Sequence, residues 1–497
     1  MIALLSFRNL VLRPWRTLLL LLGFGLGVGV MIVLLSVGEA LLAQAREEKL
    51  VGGGQLTVLP EGLDVEVMKT GGLGGMFFSI DHARFVYRQL LAAPRLAAHV
   101  AAVAPEMEGK LVYMRLPNGR EITARASGEL PSRTRAVGAM PQLAEGRWED
   151  DDLDRRWRDP TMAELRAEID HFHLPSGTAL GDPSWAEWHY FNVLSADGKR
   201  WAFVSFIVAG DVSRGQWGGQ VLVTLHEIGR PARRFSSVFY PRSVSFSTGD
   251  ADLSFGSSSV RVLPDGRYAV EAHAVEEGKG TPLEVHLTVS PARGAYFPGT
   301  AIAGEALVSG YAVPALRADA SGSMCVGSRC EQYDRAQAYH DHNWGVWRGV
   351  TWEWGSARAG QYSILYGRVQ PPDSVAMRQP LFVFVVDSLG FLALFRPRDI
   401  AYEDGRSIVI GGQTVRVPSR ATMIDVRGDD TLRVELEVED AAGTDTRRPD
   451  VERGDTRAER RLEHPYFIQM KGAARVTGRV HGVPIEGRGA GFFETYR

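Results

Sequence analysis

The sequence predicts a mainly β protein, with two tandem antiparallel β-barrels behind a single N-terminal transmembrane helix and a small α+β segment. Three observations carry that expectation. An uncharged apolar run stands near the N-terminus, and period-two hydrophobic alternation recurs from Trp185 onward. The 497 residues also include 55 Gly, 11 Trp, 21 Phe and 14 Tyr, which suits short strands and tight turns better than a helical bundle. With 45% hydrophobic and 23% charged residues, the chain has the composition of a folded globular protein rather than a disordered one. Lys+Arg 56 against Asp+Glu 59 leaves no electrostatic footprint for nucleic acid. A mean hydropathy of -0.11 excludes a polytopic membrane protein. Two cysteines make neither a disulfide scaffold nor a four-cysteine zinc site.

Thr17 to Val37 is a run of 21 residues without a charge, long enough at about 1.5 Å per residue to cross a hydrocarbon core of roughly 30 Å. Arg8, Arg13 and Arg16 precede it, and Trp15 sits where an interfacial aromatic would. Beyond it, Arg46 and Lys49 are offset by Glu39, Glu47 and Glu48. The positive-inside rule then gives a cytoplasmic segment 1–16, a transmembrane helix 17–37 in the inner membrane, and an extracytoplasmic (periplasmic) bulk. A cleaved signal peptide with Ala43-Gln44-Ala45 as its site is the rival reading. Gly23, Gly25, Gly27 and Gly29 offer either a helix-packing face or simply the glycine common in spans.

After the anchor, 38–147 mixes short strands with a helix-like stretch from Asp81 to Leu96, on which Phe85, Leu90 and Leu91 share a face. Residues 148–176 are dense in charge and then helix-forming, as a linker or capping helix would be. Two β domains follow, 177–345 and 346–497. WAFVSFIVA and QVLVTL are buried strands. Leu283, Val285, Leu287 and Val289 alternate with polar residues, as do Leu432, Val434, Leu436 and Val438. Pro264-Asp265-Gly266 and Glu403-Asp404-Gly405 are turns. Leu381 to Phe395, broken by Asp387-Ser388-Leu389-Gly390, reads as two strands and a turn rather than a second span. Ala441 to Arg461 reads as a solvated charged loop. Cys325 and Cys330 are either a small-loop disulfide across a hairpin or two free thiols.

The densest polar-aromatic cluster is Tyr339-His340-Asp341-His342-Asn343-Trp344-Gly345, followed by Trp347 and by Thr351-Trp352-Glu353-Trp354-Gly355. On a strand, residues two apart share a face. His340, His342 and Trp344 then point one way, and Tyr339, Asp341 and Asn343 the other. Trp352 and Trp354 share a face on the next strand. Tryptophan is costly to leave in water and its indole N–H needs a partner when buried, so the cluster belongs to a partly buried, amphipathic site.

Two stretches carry resemblances. SFRNLVLRPWRTLLLLLGFGLGVGVMIVLLSVGEALL, continued by GGGQLTVLP, resembles the first transmembrane segment and early extracytoplasmic domain of FtsX-like and macrolide-exporter-type ABC permeases. It departs from them in having one span, so the chain is not expected to be a permease by itself. SWAEWHYFNVLSADGKRWAFVSFIV, GYAVPALRADASGSM and AYHDHNWGVWRGVTWEWGSARAGQYSILYGRV resemble the carotenoid 1,2-hydratase (hydroxyneurosporene synthase) and AttH-like superfamily, from about Pro183 to the C-terminus. Fungal Diels–Alderases share it more distantly. This resemblance implies lipocalin-like barrels with an associated ligand cavity.

Hydration of an isolated C=C needs a proton donor and a cation-stabilising lining, and no cofactor. Asp341 is the candidate acid, with an apolar site raising its pKa. Tyr339, Trp344, Trp352 and Trp354 are candidates to stabilise a carbocation, and His340 or His342 to orient or deprotonate water. Asn343, Trp188 and Tyr190 would line the ligand site, with Glu187 a weaker candidate and Glu494 a second acid. The competing reading has the His-x-His stretch tying a strand end together by hydrogen bonds. His340 and His342 are too few for a metal without a third ligand, for which His171-Phe172-His173 is available; no metal is expected. Two functions follow: a membrane-anchored hydratase or isomerase (a lyase) acting on an apolar terpenoid or lipid, or a non-catalytic lipid-binding accessory of an ABC-type exporter.

Overall fold

The computed structural model describes residues 12, 14–47, 56, 80–138, 148–175, 181–303, 308–347, 349–370, 380–445 and 464–497. Arg8, Arg13 and most of GGGQLTVLP lie outside them, as does the charged stretch beyond residue 445. The chain divides into two compact units, Met1–Phe78 with Ala102–Asp154, and Ser79–Ala101 with Arg155–Arg497.

In the first unit, one α-helix runs over Pro14–Glu47. Its 20-residue stretch Pro14–Val33 is long and apolar enough to cross a membrane. An antiparallel hairpin pairs Glu106–Arg115 with Glu121–Glu129. A short helix, Pro131–Ala136, follows, and Ser132 bonds through both its N–H and its hydroxyl to Asp150, at 2.8 and 2.6 Å.

The second unit is built on two antiparallel meanders. In the first, eight strands follow one another in chain order: Trp185–Leu194, Arg200–Asp211, Gln216–Glu227, Arg233–Phe239, Tyr268–Glu276, Pro282–Pro291, Val308–Val326 and Arg329–Val346. The last pairs with the first, from Gln337↔Leu194 to Val346↔Trp185, and closes an up-and-down barrel. Inward residues such as Phe191, Val193, Val204, Phe206, Val221 and Val223 are fully buried and form its core. The alternation at 283–289 is observed as expected, with Leu283, Val285, Leu287 and Val289 inside and Glu284 and His286 outside.

The second meander is a nine-stranded sheet, in the order Gly390–Phe395, Phe382–Asp387, Tyr362–Gln370, Thr351–Ala359, Val483–Tyr496, Tyr466–Val480, Asp430–Asp445, Arg420–Arg427 and Ala401–Glu403. It is a half-barrel. Its two ends approach where the Arg396 N–H donates to Asp425 Oδ2 (2.7 Å) and Arg427 to the Leu394 carbonyl (2.5 Å). Phe382–Asp387 and Gly390–Phe395 are the two strands read from the broken apolar run. Residues 441–445, read as loop, continue the Asp430–Asp445 strand because Ala441 to Asp445 pair with Met470 to Tyr466.

A third apolar cluster lies between barrel and half-barrel, with Tyr190, Phe203, Tyr311 and Tyr339 from one side and Trp354, Leu365, Phe382 and Phe492 from the other. Arg358 donates to Asp319 at 3.1 Å across this seam, and Gln337 Nε2 to the Ala490 carbonyl at 3.2 Å. Helix Ile80–Ala92 belongs to this unit. Phe85 meets Tyr296 edge-on at 4.5 Å, Tyr87 packs on Trp157, and Arg84 pairs with Glu168 at 3.2 Å. Leu90 and Leu91 are only half-buried. The helix-forming stretch after the charged segment is the helix Met162–Ala167, started by a Thr161/Glu164 capping box. The chain then enters the barrel at Asp170 and Phe172, both almost completely buried.

Cys325 and Cys330 are a register pair in the Val308–Val326/Arg329–Val346 hairpin and form a disulfide. The protein as purified is therefore expected to have an intact mass two hydrogens below the reduced value, with no thiol titratable after denaturation; two titratable thiols would contradict the pairing. Gly367 lies under the Trp354 ring, and a Cβ there would sit 2.4 Å from it. Gly367→Ala is expected to displace Trp354 and lower stability by about 1–3 kcal/mol in denaturant unfolding; an unchanged midpoint would show that the ring moves freely.

Candidate functional site

The strand Arg329–Val346 is shared by two interiors. Its even-numbered residues from Ala336 to Trp344 face into the barrel, and Tyr339, Asp341 and Asn343 face the seam with the half-barrel. The register sets Phe191, Tyr190, His189 and Trp188 of the neighbouring strand opposite His340, Asp341, His342 and Asn343. Strand alternation thus divides the predicted site residues into two groups with the strand between them.

On the seam side, Asp341 is 3% exposed. Its Oδ2 accepts from the Tyr339 hydroxyl at 2.8 Å and its Oδ1 from Asn343 Nδ2 at 2.7 Å. Trp354 Nε1 donates to the Tyr339 oxygen at 2.9 Å, extending the chain to the half-barrel. Opposite, Glu494 accepts from the Tyr190 hydroxyl (2.7 Å), Trp352 Nε1 (3.0 Å) and Gln469 Nε2 (3.2 Å). Burial pushes the Asp341 carboxyl up to about 8; the bonds from Tyr339 and Asn343 oppose this and the Glu494 charge adds to it. Burial also raises Glu494, against its three donors. The phenols of Tyr190 and Tyr339 are held far above their ordinary range, first by burial and then by the carboxylate each one meets. Trp188 lies 4.7 Å from Trp347 and 6.4 Å from Trp352, ring to ring. Asp341, Tyr339, Asn343, Tyr190, Glu494, Trp188, Trp352 and Trp354 therefore belong to one seam.

His340, His342 and Trp344 do not. They lie inside the barrel around Asp170, which is completely buried. Asp170 Oδ2 is 3.0 Å from His340 Nε2 and accepts from the Tyr268 hydroxyl, and Oδ1 is 2.7 Å from His342 Nδ1. His189 Nδ1 stands 3.6 Å from Oδ1. Farther along, Glu187 Oε1 is 2.9 Å from His342 Nε2 and 3.1 Å from His173 Nδ1, and its carboxylate also takes the His173 backbone N–H. Trp344 stacks on His173 at 3.8 Å. Burial alone would raise Asp170, but the charge and hydrogen bond of His340 and the bond of His342 outweigh it and hold the carboxyl well below its usual range. His189 is driven well below its ordinary value by burial and by the His342 charge. His342 is raised despite burial, because Asp170 and Glu187 flank it.

Asp170 and Gln469 were not among the site residues expected from the sequence. Asp170 sits between apolar Ile169 and Phe172 after a helix, a weak mark of a buried acid. His189 had a stronger one, since Glu187 and His189 are two polar residues on one face of an otherwise apolar strand. Glu187, weighed for the same cavity as Asp341, is placed on the opposite side. His173 meets Glu187, next to His342, and His171 stacks on His173 at 4.5 Å.

Residues 17–182 match the MacB-like periplasmic core domain family. No curated protein matches the chain. Among solved structures, it is similar to a Nitrosomonas europaea protein described as an AttH, with 15% identity and a TM-score of 0.43 over 66% of this chain and 98% of that one. It is similar to kievitone hydratase from Nectria haematococca, with 12% identity and a TM-score of 0.40 over 66% of this chain and 94% of that one. It is also similar to CghA solved with Sch210972, with 15% identity and a TM-score of 0.41 over 66% and 94%. The two groups that the sequence resembles, AttH-like proteins and macrolide-exporter-type permeases, are both represented. Among the described residues the chain thus combines a closed, lipocalin-like eight-stranded up-and-down barrel and a half-barrel with one helix of membrane-spanning length, and residues 17–182 match the MacB-like family.

Between about pH 4 and about 8 the folded chain holds the Asp341 proton and the unfolded chain does not, because the folded pKa is the higher. The wild type is therefore expected to lose stability relative to Asp341→Asn as the pH rises through that window, with a constant gap above it. Thermal unfolding of both at about pH 5, 7 and 9 checks this; a gap independent of pH would mean that Asp341 is ionised throughout.

Proposed function

We propose that this protein is a membrane-anchored, extracytoplasmic enzyme of the hydratase type, binding an apolar terpenoid or lipid at the seam between barrel and half-barrel. One observation carries the reading: the buried Asp341 carboxyl faces an aromatic seam, fixed by the neutral donors Tyr339 and Asn343. In the proposed reaction, Asp341 donates its proton to one carbon of an isolated C=C, and the other carbon becomes a cation. The faces of Trp354, Trp352 and Tyr339 stabilise that cation, at roughly 0.5–2 kcal/mol each. Water adds to it, and the proton released from the oxonium returns to the Asp341 carboxylate. The net change is alkene plus water to alcohol, with no cofactor required. Trp188, Tyr190 and Asn343 help to line the site, and burial, reinforced by the Glu494 charge, keeps Asp341 protonated. His340, His342 and Trp344 lie behind the strand and take no part. The disulfide supports an oxidising, extracytoplasmic setting.

A second reading is favoured by the MacB-like match over residues 17–182: the protein carries an apolar ligand for an ABC-type exporter without altering it, its N-terminal helix packing on permease helices.

Native mass spectrometry of the full-length protein from its own host, wild type and Asp341→Asn, separates the two. The enzyme reading expects a hydrated product on the wild type, its unhydrated precursor on the variant, and turnover reduced roughly 10²–10⁴-fold. The same unmodified ligand on both would contradict hydration and leave the carrier.

A further inference from the structure

We infer that Asp170, His189 and His340 form a binding site for one divalent transition-metal ion of the zinc class inside the barrel. The site lies on the opposite face of the strand from Asp341 and does not depend on the proposed hydration.

The three residues come from three segments and are each 0% exposed. Their ligand atoms lie within 4.8 Å of one another. The hydrogen bonds fix which nitrogen of each imidazole is free. His189 Nε2 is 3.0 Å from the Ala251 carbonyl and His340 Nδ1 is 3.1 Å from the Tyr190 carbonyl. A carbonyl oxygen only accepts, so both of those nitrogens carry hydrogen. His189 Nδ1 and His340 Nε2 are left to face the Asp170 carboxylate, at 3.6 and 3.0 Å. A proton on His340 Nε2 accounts for the shorter contact. It does nothing for His189 Nδ1, which is buried without a hydrogen-bond partner and directed at a carboxylate oxygen. A divalent cation among the three satisfies all of them together.

The donor set narrows the ion. Two imidazole nitrogens and one carboxylate oxygen suit zinc and its first-row neighbours, not calcium or magnesium, which prefer all-oxygen shells. Zinc–ligand bonds of about 2.0–2.1 Å in a tetrahedron set ligand atoms about 3.3 Å apart. The 3.6 Å from His189 Nδ1 to Asp170 Oδ1 and the 3.0 Å from His340 Nε2 to Oδ2 are close to this, a small rotation of the carboxylate sufficing to present one oxygen to both. The surroundings are those of an oriented metal site. Both histidines give their other N–H to a backbone carbonyl, while the His342 Nδ1–H and the Tyr268 hydroxyl hold Asp170. The adjoining group of His173, Glu187 and His342 differs, because the His173 side chain is a quarter exposed whereas Asp170, His189 and His340 are wholly buried. Asp170 lies in the MacB-like stretch and the two histidines in barrel strands, so the ion would pin the end of that stretch inside the barrel.

The test uses full-length protein purified in detergent from zinc-supplemented cells, with elemental analysis and thermal unfolding before and after chelation. We expect about one zinc per chain, a lower melting temperature after chelation and its recovery on adding zinc alone. His189→Gln should retain less than about a tenth of the metal, whereas Asp341→Asn should retain all of it. Zinc-free wild type that takes up none on reconstitution would overturn the site, and this holds even if His189→Gln fails to fold. Undiminished zinc in a folded His189→Gln would overturn it as well.

Discussion

Everything at the centre of this molecule depends on the pleat of one strand. Arg329–Val346 closes the barrel against Trp185–Leu194 and at the same time forms the barrel's wall toward the half-barrel, so from Ala336 onward both of its faces are buried or half-buried. Alternation along such a strand separates neighbours in sequence by the thickness of a sheet. Asp341 and His340 share a peptide bond and occupy different chemical environments. A shift of register by one residue would exchange the two sets, carrying the histidines into the aromatic seam and Asp341 into the barrel.

The two environments handle buried charge in opposite ways. Inside the barrel, Asp170 is surrounded by imidazoles and a phenol, and the imidazoles of His340, His342 and His189 hold its carboxyl well below the usual range although it is wholly buried. At the seam, the donors to Asp341 are the neutral Tyr339 and Asn343, and the Glu494 charge adds to the effect of burial on it. Neutral donors compensate part of the desolvation of a carboxylate but not all of it, so the proton stays. A carboxylic acid kept protonated near neutral pH beside electron-rich rings is the arrangement that acid-catalysed chemistry on an apolar molecule requires. The histidine cluster, by contrast, joins residues from distant parts of the chain and has the density of donors that holds a cation.

Much of this was legible in the sequence, for a physical reason. A period of two is local, so the faces of Tyr339 to Trp344 and the strands at 283–289 and 432–438 could be read directly. The tryptophan pair Trp352 and Trp354 marked the seam because indoles need both apolar contact and a hydrogen-bond acceptor. What depends on long-range pairing was not legible. Asp170 reaches His340 across 170 positions, and no local pattern announces that contact. The same holds for the opening of the second meander, which turns on strand ends near Leu394 and Asp425 that approach without pairing. The helix Ile80–Ala92 also reads locally as part of the N-terminal segment, whereas its packing through Phe85 and Tyr87 places it with the β unit.

The central claim is that Asp341 is a neutral acid at physiological pH. Infrared difference spectroscopy between full-length wild type and Asp341→Asn at about pH 7 tests it most directly, because a protonated carboxyl absorbs well apart from a carboxylate. The account predicts a carboxylic-acid carbonyl band in the wild type that is missing from the variant and fades as the pH is raised past about 8. A missing carboxylate band instead, with no acid band at any pH near neutrality, would contradict it.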